Sequence, residues 1–493
     1  MVLVEQGRGA APGVAGGWGP WCCSTGTTTT TAPQAAQPRS AAEPSQSALP
    51  AGQSSRSIGG VRRATHRVPG LVLTDHEFAV PLDHARPDGD RITVFAREAV
   101  ASSRERDDLP WLVFFQGGPG GEAPRPTSAR EHWLPRALKE YRVLLLDQRG
   151  TGRSTPLNRQ TLVGVGDARA QAAYLRHFRA DAIVGDAEWI RRELLGDEAR
   201  WSVLGQSFGG FCVTTYLSFA PEGLREALIT GGLPPLAAGA EEVYRATYPR
   251  VLERNQRFYE RYPDDAKVAA EVAAALRAQP VPLPCGDPLT PRRLQLLGHS
   301  FGMRDGFERL HYLLEDAFVE GPGGRVLSDR FLRGVEEATS AMFATNPLYA
   351  IVHEACYCQG AASRWAAERV RAEFPELDLD RGGPVYFTGE MIYLWLFEED
   401  AALRPLRDAA ELLAAYDGWP PLYDPARLAA NEVPCAAAVY YDDMYVDAEL
   451  SLETARAVRG LRLWVTNEHE HDGLRRDGEE LLDHLIALAR GER

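Results

Sequence analysis

Apolar and polar positions change rhythm several times along this chain, and each change marks a different kind of element. Residues 71–80 and 91–100 are rich in β-branched and apolar side chains, with Asp88-Gly89 between them. That pattern predicts an early antiparallel hairpin. The runs 111–116 and 142–147 are continuously apolar, which suits buried strands of a parallel sheet rather than half-exposed ones. Each empties into a glycine-rich loop, 117–121 after the first and 150–152 after the second. A helical stretch around 186–195, a strand at 201–205, a helix over 207–219 and a strand at 227–231 continue the alternation. Strand and helix in turn predict a doubly wound, mostly parallel α/β sheet.

From about 233 the strand signal fades. The segment reads as amphipathic helices at 241–262, 264–278, 306–318, 363–374 and 408–416, broken by Pro-Gly stretches. Strand patterns return at 435–441 and 461–466, and a helix over 473–490 closes the chain. The expected organisation is therefore a core in two parts, 65–233 and 426–493, with an all-helical cap, 234–425, inserted between its strands. Residues 1–64 form a low-complexity segment rich in Ala, Pro, Gln and Ser, with a threonine run at 27–31. They carry too little apolar side chain to offset ordering entropy and are expected to be disordered.

Composition narrows the partners. The chain carries 54 basic and 68 acidic side chains, a net charge of −14. That excess of acid argues against nucleic acid or an anionic membrane surface, both of which need a basic footprint. No apolar run is long enough to span a bilayer and the N-terminus lacks the apolar core of a secretory signal, so a cytoplasmic protein is expected. The seven cysteines are irregularly spaced and include no C-x-x-C pair, which predicts free thiols rather than a disulfide framework or zinc site.

The chemistry begins at Gly205-Gln206-Ser207-Phe208-Gly209, a G-x-S-x-G motif. A second match, Gly298-His299-Ser300-Phe301-Gly302, shows how weak the motif is alone. Context separates the two. The first follows an apolar strand and opens a helix, as the nucleophile elbow of an α/β-hydrolase requires, whereas the second follows a helical pattern inside the insertion. Ser207 is the expected nucleophile. In this fold the acid and then the histidine follow the serine, each after a late strand. Asp443 is the expected acid, with Asp442 as main rival and Asp447 beyond. His471, directly before Asp-Gly and the closing helix, is the expected base, with His469 as alternative. The oxyanion would be held by the backbone N–H groups of Phe208 and of Gly118, the latter in the glycine loop after an early strand. No metal is expected, because His469 and His471 lack a third ligand nearby.

Three stretches together resemble the proline iminopeptidases, a family of α/β-hydrolases: Gly117-Gly118-Pro119-Gly120-Gly121, then Asp147-Gln148-Arg149-Gly150-Thr151-Gly152-Arg153-Ser154, then Gly205-Gln206-Ser207-Phe208-Gly209-Gly210. The resemblance covers about 65–493. It departs at Gln116, where many members carry histidine, and in a cap longer than that of the compact bacterial enzymes. It implies a small peptide with a free N-terminal proline as substrate, no cofactor, and acidic cap residues that grip the imino group. Glu354 and Glu390, both set among apolar and aromatic residues, are the expected pair, and Phe387, Tyr357 and Trp395 could wall a proline ring. The rival readings are an esterase or amidase of another acyl specificity, and a non-catalytic binding protein on the same scaffold.

Overall fold

The computed structural model describes residues 64–279 and 281–493. The disorder expected for 1–64 lies outside these residues except for Ala64, which opens the first strand.

The main sheet has nine strands: β1 (Ala64–Val68), β2 (Leu71–Pro81), β3 (Arg91–Ala101), β4 (Trp111–Phe115), β5 (Arg142–Leu146), β6 (Trp201–Gln206), β7 (Leu224–Thr230), β8 (Cys435–Tyr440) and β9 (Leu461–Thr466). Their order is β1-β2-β3-β5-β4-β6-β7-β8-β9. The hairpin β2–β3 pairs Leu71 with Ala101 and Pro81 with Arg91, and β3 runs antiparallel to β5. From β5 through β9 every pairing is parallel. Strand β1 escapes the hydrophobic pattern because it is an exposed edge with no apolar face to alternate.

The continuous apolar runs of β4 and β5 follow from burial on both faces. In β4, Val113 and Phe115 face one layer of the core, while Leu112 and Phe114 face the other. Helices α1 (Ala180–Leu195) and α2 (Phe208–Phe219) fill the first layer. The closing helix covers the second. It is interrupted at Asp477, giving a short turn over Gly473–Arg476 and then Gly478–Arg490.

Between β7 and β8 the chain is mainly helical, led by α3 (Ala240–Arg261). The expectation of an all-helical cap fails here, because the insertion also holds two short hairpins. Val281–Pro282 pairs with Pro288–Leu289, and Phe318–Gly321 pairs with Gly324–Leu327. The expected helix 306–318 accordingly stops at Glu315. Gly321-Pro322-Gly323-Gly324 supplies a turn, and the four-residue strands beside it are too exposed to show alternation. The expected helix 363–374 shrinks to Ala366–Arg371, entered through Trp365 in a left-handed conformation (φ 55°). The insertion shares one apolar core with the sheet, since Phe258, Phe301 and Phe387 join Phe211 and Val213 in it. Among the described residues no helix is long and apolar enough to cross a membrane.

Because β4, β6, β8 and β9 are parallel, the loops leaving their C-terminal ends open on the same edge of the sheet. That edge is where an open α/β sheet places its ligand. These loops carry Gly117–Gly121, Ser207, Asp443 and His471.

Candidate active site

Ser207 occupies the turn between β6 and α2 with φ 57° and ψ −127°, a conformation a non-glycine residue holds only when its surroundings enforce it. They do so here through close backbone packing. A Cβ on Gly205 would run into the Gly209 backbone, and one on Gly209 would run into the carbonyl of Phe115 on β4. The glycines of the motif let β6, α2 and β4 approach this closely. The Ser207 N–H donates to the Thr230 carbonyl at 3.0 Å, which ties the turn to the end of β7.

The side chain of Ser207 meets His471, with Oγ 2.9 Å from Nε2. On the other edge of the ring, Nδ1 lies 2.6 Å from Asp443 Oδ2. A carboxylate can only accept, so Nδ1 carries the hydrogen and the Nε2 lone pair faces the serine hydroxyl. All three side chains are buried. Burial alone would push the His471 pKa down, but the Asp443 charge, backed by Glu390 and Asp472, outweighs it and holds the imidazole above its ordinary value. Asp443 is itself fixed from behind, because Oδ1 accepts the N–H groups of Tyr445 at 2.8 Å and Val446 at 3.1 Å.

The alternatives are employed elsewhere. Asp442 lies 3.5 Å from Arg257, and Asp447 caps the helix Ala448–Ala457 by accepting the Leu450 N–H at 3.0 Å. His469 Nδ1 lies 3.2 Å from Asp477, with its ring set edge-on to Tyr440 and Trp464. Ser300 Oγ donates to the Leu297 carbonyl within its own 3-10 turn and to the Gly306 carbonyl just beyond it, and among the described residues no base meets it.

The glycine loop after β4 presses on Ser207. A Cβ at Gly117 would lie 2.9 Å from Ser207 Cβ. Gly118 follows at φ 133°, before a cis bond to Pro119. Phe208 is the first residue of α2, where backbone N–H groups have no partner within the helix. The Asp147–Ser154 motif braces this edge. Gln148 Nε2 donates to the Gln116 carbonyl at 2.9 Å, and Arg149 is wholly buried against Asp186 of α1.

The structure separates the two cap glutamates. Glu354 is engaged by the cap backbone: its oxygens accept the N–H groups of Ala366 at 3.1 Å and Ala367 at 2.9 Å, at the start of the helix Ala366–Arg371. Glu390 stands beside His471 and Asp443, close enough for both to act on its charge. Its loop leans on the Asp443 loop, since a Cβ at Gly389 would meet the Met444 side chain at 2.8 Å. Burial raises the Glu390 carboxyl to about 7, with Asp443 adding to the rise and the Tyr349 hydroxyl and His471 opposing it. Of the aromatics, Phe387 and Trp395 lie in the cap core, Phe387 edge-on to Phe258 and Phe301 and Trp395 stacked on Tyr393. Tyr357 packs on Phe211 and feels the charges of Glu390 and Asp443.

Three side chains that the sequence did not point to complete the surroundings. The Tyr445 ring lies 4.7 Å from that of His471, Tyr349 donates to Glu390 at 2.6 Å, and His299 lies 3.0 Å from Tyr349. Of these only His299 stands inside a motif of the sequence, beside Ser300.

Comparison with known proteins agrees with this architecture. The family model for the alpha/beta hydrolase fold matches residues 110–281. The proline iminopeptidase of Aeromonas sobria is 52% identical over 422 residues, 85% of this chain and 97% of that protein. A proline iminopeptidase of Aspergillus aculeatus is 36% identical over 436 residues, 87% of this chain and 96% of that one. With nearly the whole of both relatives matched at these identities, the chain belongs to the proline iminopeptidase family and is a hydrolase of the α/β-hydrolase fold.

Proposed function

We propose that this enzyme releases proline from the free N-terminus of peptides by acyl transfer through Ser207. The observation that carries the reading is the unbroken line Ser207 Oγ–His471 Nε2 at 2.9 Å and His471 Nδ1–Asp443 Oδ2 at 2.6 Å.

A serine hydroxyl becomes a nucleophile when a neighbouring base takes its proton. His471 takes it as Oγ attacks the proline carbonyl, and the Asp443 charge stabilises the imidazolium that forms. Negative charge then develops on the former carbonyl oxygen, where the Phe208 and Gly118 N–H groups are the expected donors. His471 returns the proton to the departing amine, and water repeats the cycle on the ester to free proline. No metal or cofactor enters.

Selectivity falls to Glu390 rather than Glu354. A secondary ammonium brings two N–H donors and a positive charge, and a carboxylate is its natural partner. An acid that burial holds near neutrality gains most from such a cation, because pairing offsets the cost of ionising in an apolar site. Glu354 has both oxygens committed to backbone amides and is read as structural.

The test is hydrolysis of L-proline p-nitroanilide beside other aminoacyl anilides and a simple p-nitrophenyl ester, with Ser207→Ala as control. Strong preference for proline, abolished in the variant, is expected. Turnover of the ester with no cleavage of any anilide would keep the Ser207 chemistry and overturn the aminopeptidase assignment. Full activity in Ser207→Ala would overturn both.

A further inference from the structure

We propose that His299, through Tyr349, is a positioning residue that turns one oxygen of Glu390 toward the substrate and so sets selectivity for a cationic N-terminus. The inference rests on the reading of Glu390 as the partner of the imino group and gives that residue its supporting shell.

A phenol has one hydrogen to donate. Tyr349 donates it to Glu390 Oε1 at 2.6 Å. Its second contact, to His299 Nε2 at 3.0 Å, is therefore a hydrogen bond only if the ring nitrogen is the donor. With Glu390 ionised, the form that pairs with a cation, the direction of the chain is fixed: His299 Nε2–H to Tyr349 Oη, and Tyr349 Oη–H to Glu390 Oε1. Burial, with the His471 charge adding to it, lowers the His299 pKa to about 4, so the ring is neutral and carries the single hydrogen this arrangement needs. Among the described residues Glu390 Oε1 has a donor and Oε2 has none. Glu390 nevertheless keeps a partly accessible surface. One oxygen is held by the protein and the other is presented.

The same segment is clamped to the catalytic base. The His299 carbonyl accepts the Tyr445 hydroxyl, and Tyr445 packs on the His471 ring. The His471 N–H donates to the Gly302 carbonyl at 3.1 Å. The second G-x-S-x-G stretch thus touches both the loop that carries the base and the tyrosine that orients the selecting acid. Its serine has no base, and the motif's contribution runs through its histidine.

The role predicts a split between binding and chemistry. Two non-hydrolysable probes isolate it, L-prolinol, which carries the secondary ammonium, and cyclopentylmethanol, its neutral counterpart. Loss of an oriented hydrogen bond to a charged group predicts that His299→Leu raises KM for proline p-nitroanilide and Ki for L-prolinol about tenfold, with kcat changed less than about twofold. The Ki of cyclopentylmethanol should not move. His299→Gln, which keeps a side-chain N–H, should recover most of the loss. Tyr349→Phe should reproduce it without adding to His299→Leu, and carries the test alone if the leucine variant does not fold. Equal losses in the leucine and glutamine variants, or a fall in kcat with L-prolinol binding intact, would overturn the proposal. Glu390→Gln serves as reference. If it leaves L-prolinol binding unchanged, the selecting role of Glu390 fails and the relay with it. If it weakens that binding while His299→Leu and Tyr349→Phe do not, only the relay fails.

Discussion

Replacing the oxygen that faces His471 Nδ1 by an NH2 group would leave the shape of the site almost intact and reverse its hydrogen bonding. At Asp443 the outcome is set by the backbone. Oδ1 accepts the N–H groups of Tyr445 and Val446, so the carbonyl oxygen of an asparagine would take that place and its NH2 would face the histidine. Two donors cannot pair, and the ring would have to carry its hydrogen on Nε2, where it no longer accepts from Ser207. Asp443→Asn is therefore expected to lower kcat about 10⁴-fold with little change in the melting curve. Asp442→Asn should leave kcat within about twofold, since among the described residues its side chain reaches only Arg257. Single-turnover kinetics on the two variants checks the pair, and similar losses in both would remove Asp443 from its role. The choice between these neighbours was not legible in the sequence. Strand β8 ends at Tyr440, and beyond it no period of two dictates which side chain faces inward. The serine was legible because the glycines at 205 and 209 answer a steric demand that leaves its mark in the sequence itself.

At the scale of elements, Glu354 shows how one local pattern hides two uses. Both cap glutamates sit among apolar and aromatic neighbours, so composition marks each as a buried acid in need of a partner. For Glu354 the partner is the first turn of a six-residue helix, Ala366–Arg371, entered through the left-handed Trp365. Six residues are too few for a helix to hold itself in place whatever their propensity, and the carboxylate satisfies N–H groups that the helix leaves open. Glu354→Ala would leave the amides of Ala366 and Ala367 buried without acceptors, at a cost of about 1–3 kcal/mol each if water does not reach them. Thermal unfolding should show a fall of several degrees, with KM for proline p-nitroanilide unchanged. A KM raised tenfold at an unaltered melting temperature would return Glu354 to the substrate site. The two hairpins of the insertion were invisible for a related reason. Strands of two and four residues at the surface show neither alternation nor a long apolar run, and Gly-Pro-Gly-Gly reads equally well as a break between helices.

Across the whole molecule, sheet and insertion share one apolar core, and the layering was readable because β4 through β8 must be apolar on both faces to lie inside it. The same shared core buries titratable groups whose proton affinities oppose one another, and that fixes how stability should respond to pH. His299 and His353 are each lowered by burial to about 4 from 6.5, and so remain neutral in the folded chain when the unfolded chain has already taken up a proton. Between those values the unfolded state binds more protons, and the two histidines make stability rise with pH. Glu390 acts in the other direction. Raised to about 7 from 4.5, it keeps its proton in the folded chain when the unfolded chain has lost it, so its contribution is full below the lower value and disappears as pH rises through the upper one. Glu390→Gln keeps an oxygen for the Tyr349 hydroxyl and removes only the titration. Its melting temperature should therefore climb more steeply than that of the wild type between about pH 5 and pH 6.5, the window in which all three groups differ between the two states. Scanning calorimetry of both proteins at several pH values measures the two slopes. Parallel slopes would mean that Glu390 is ionised throughout that range, and that something in the folded site other than substrate already supplies it with a compensating charge.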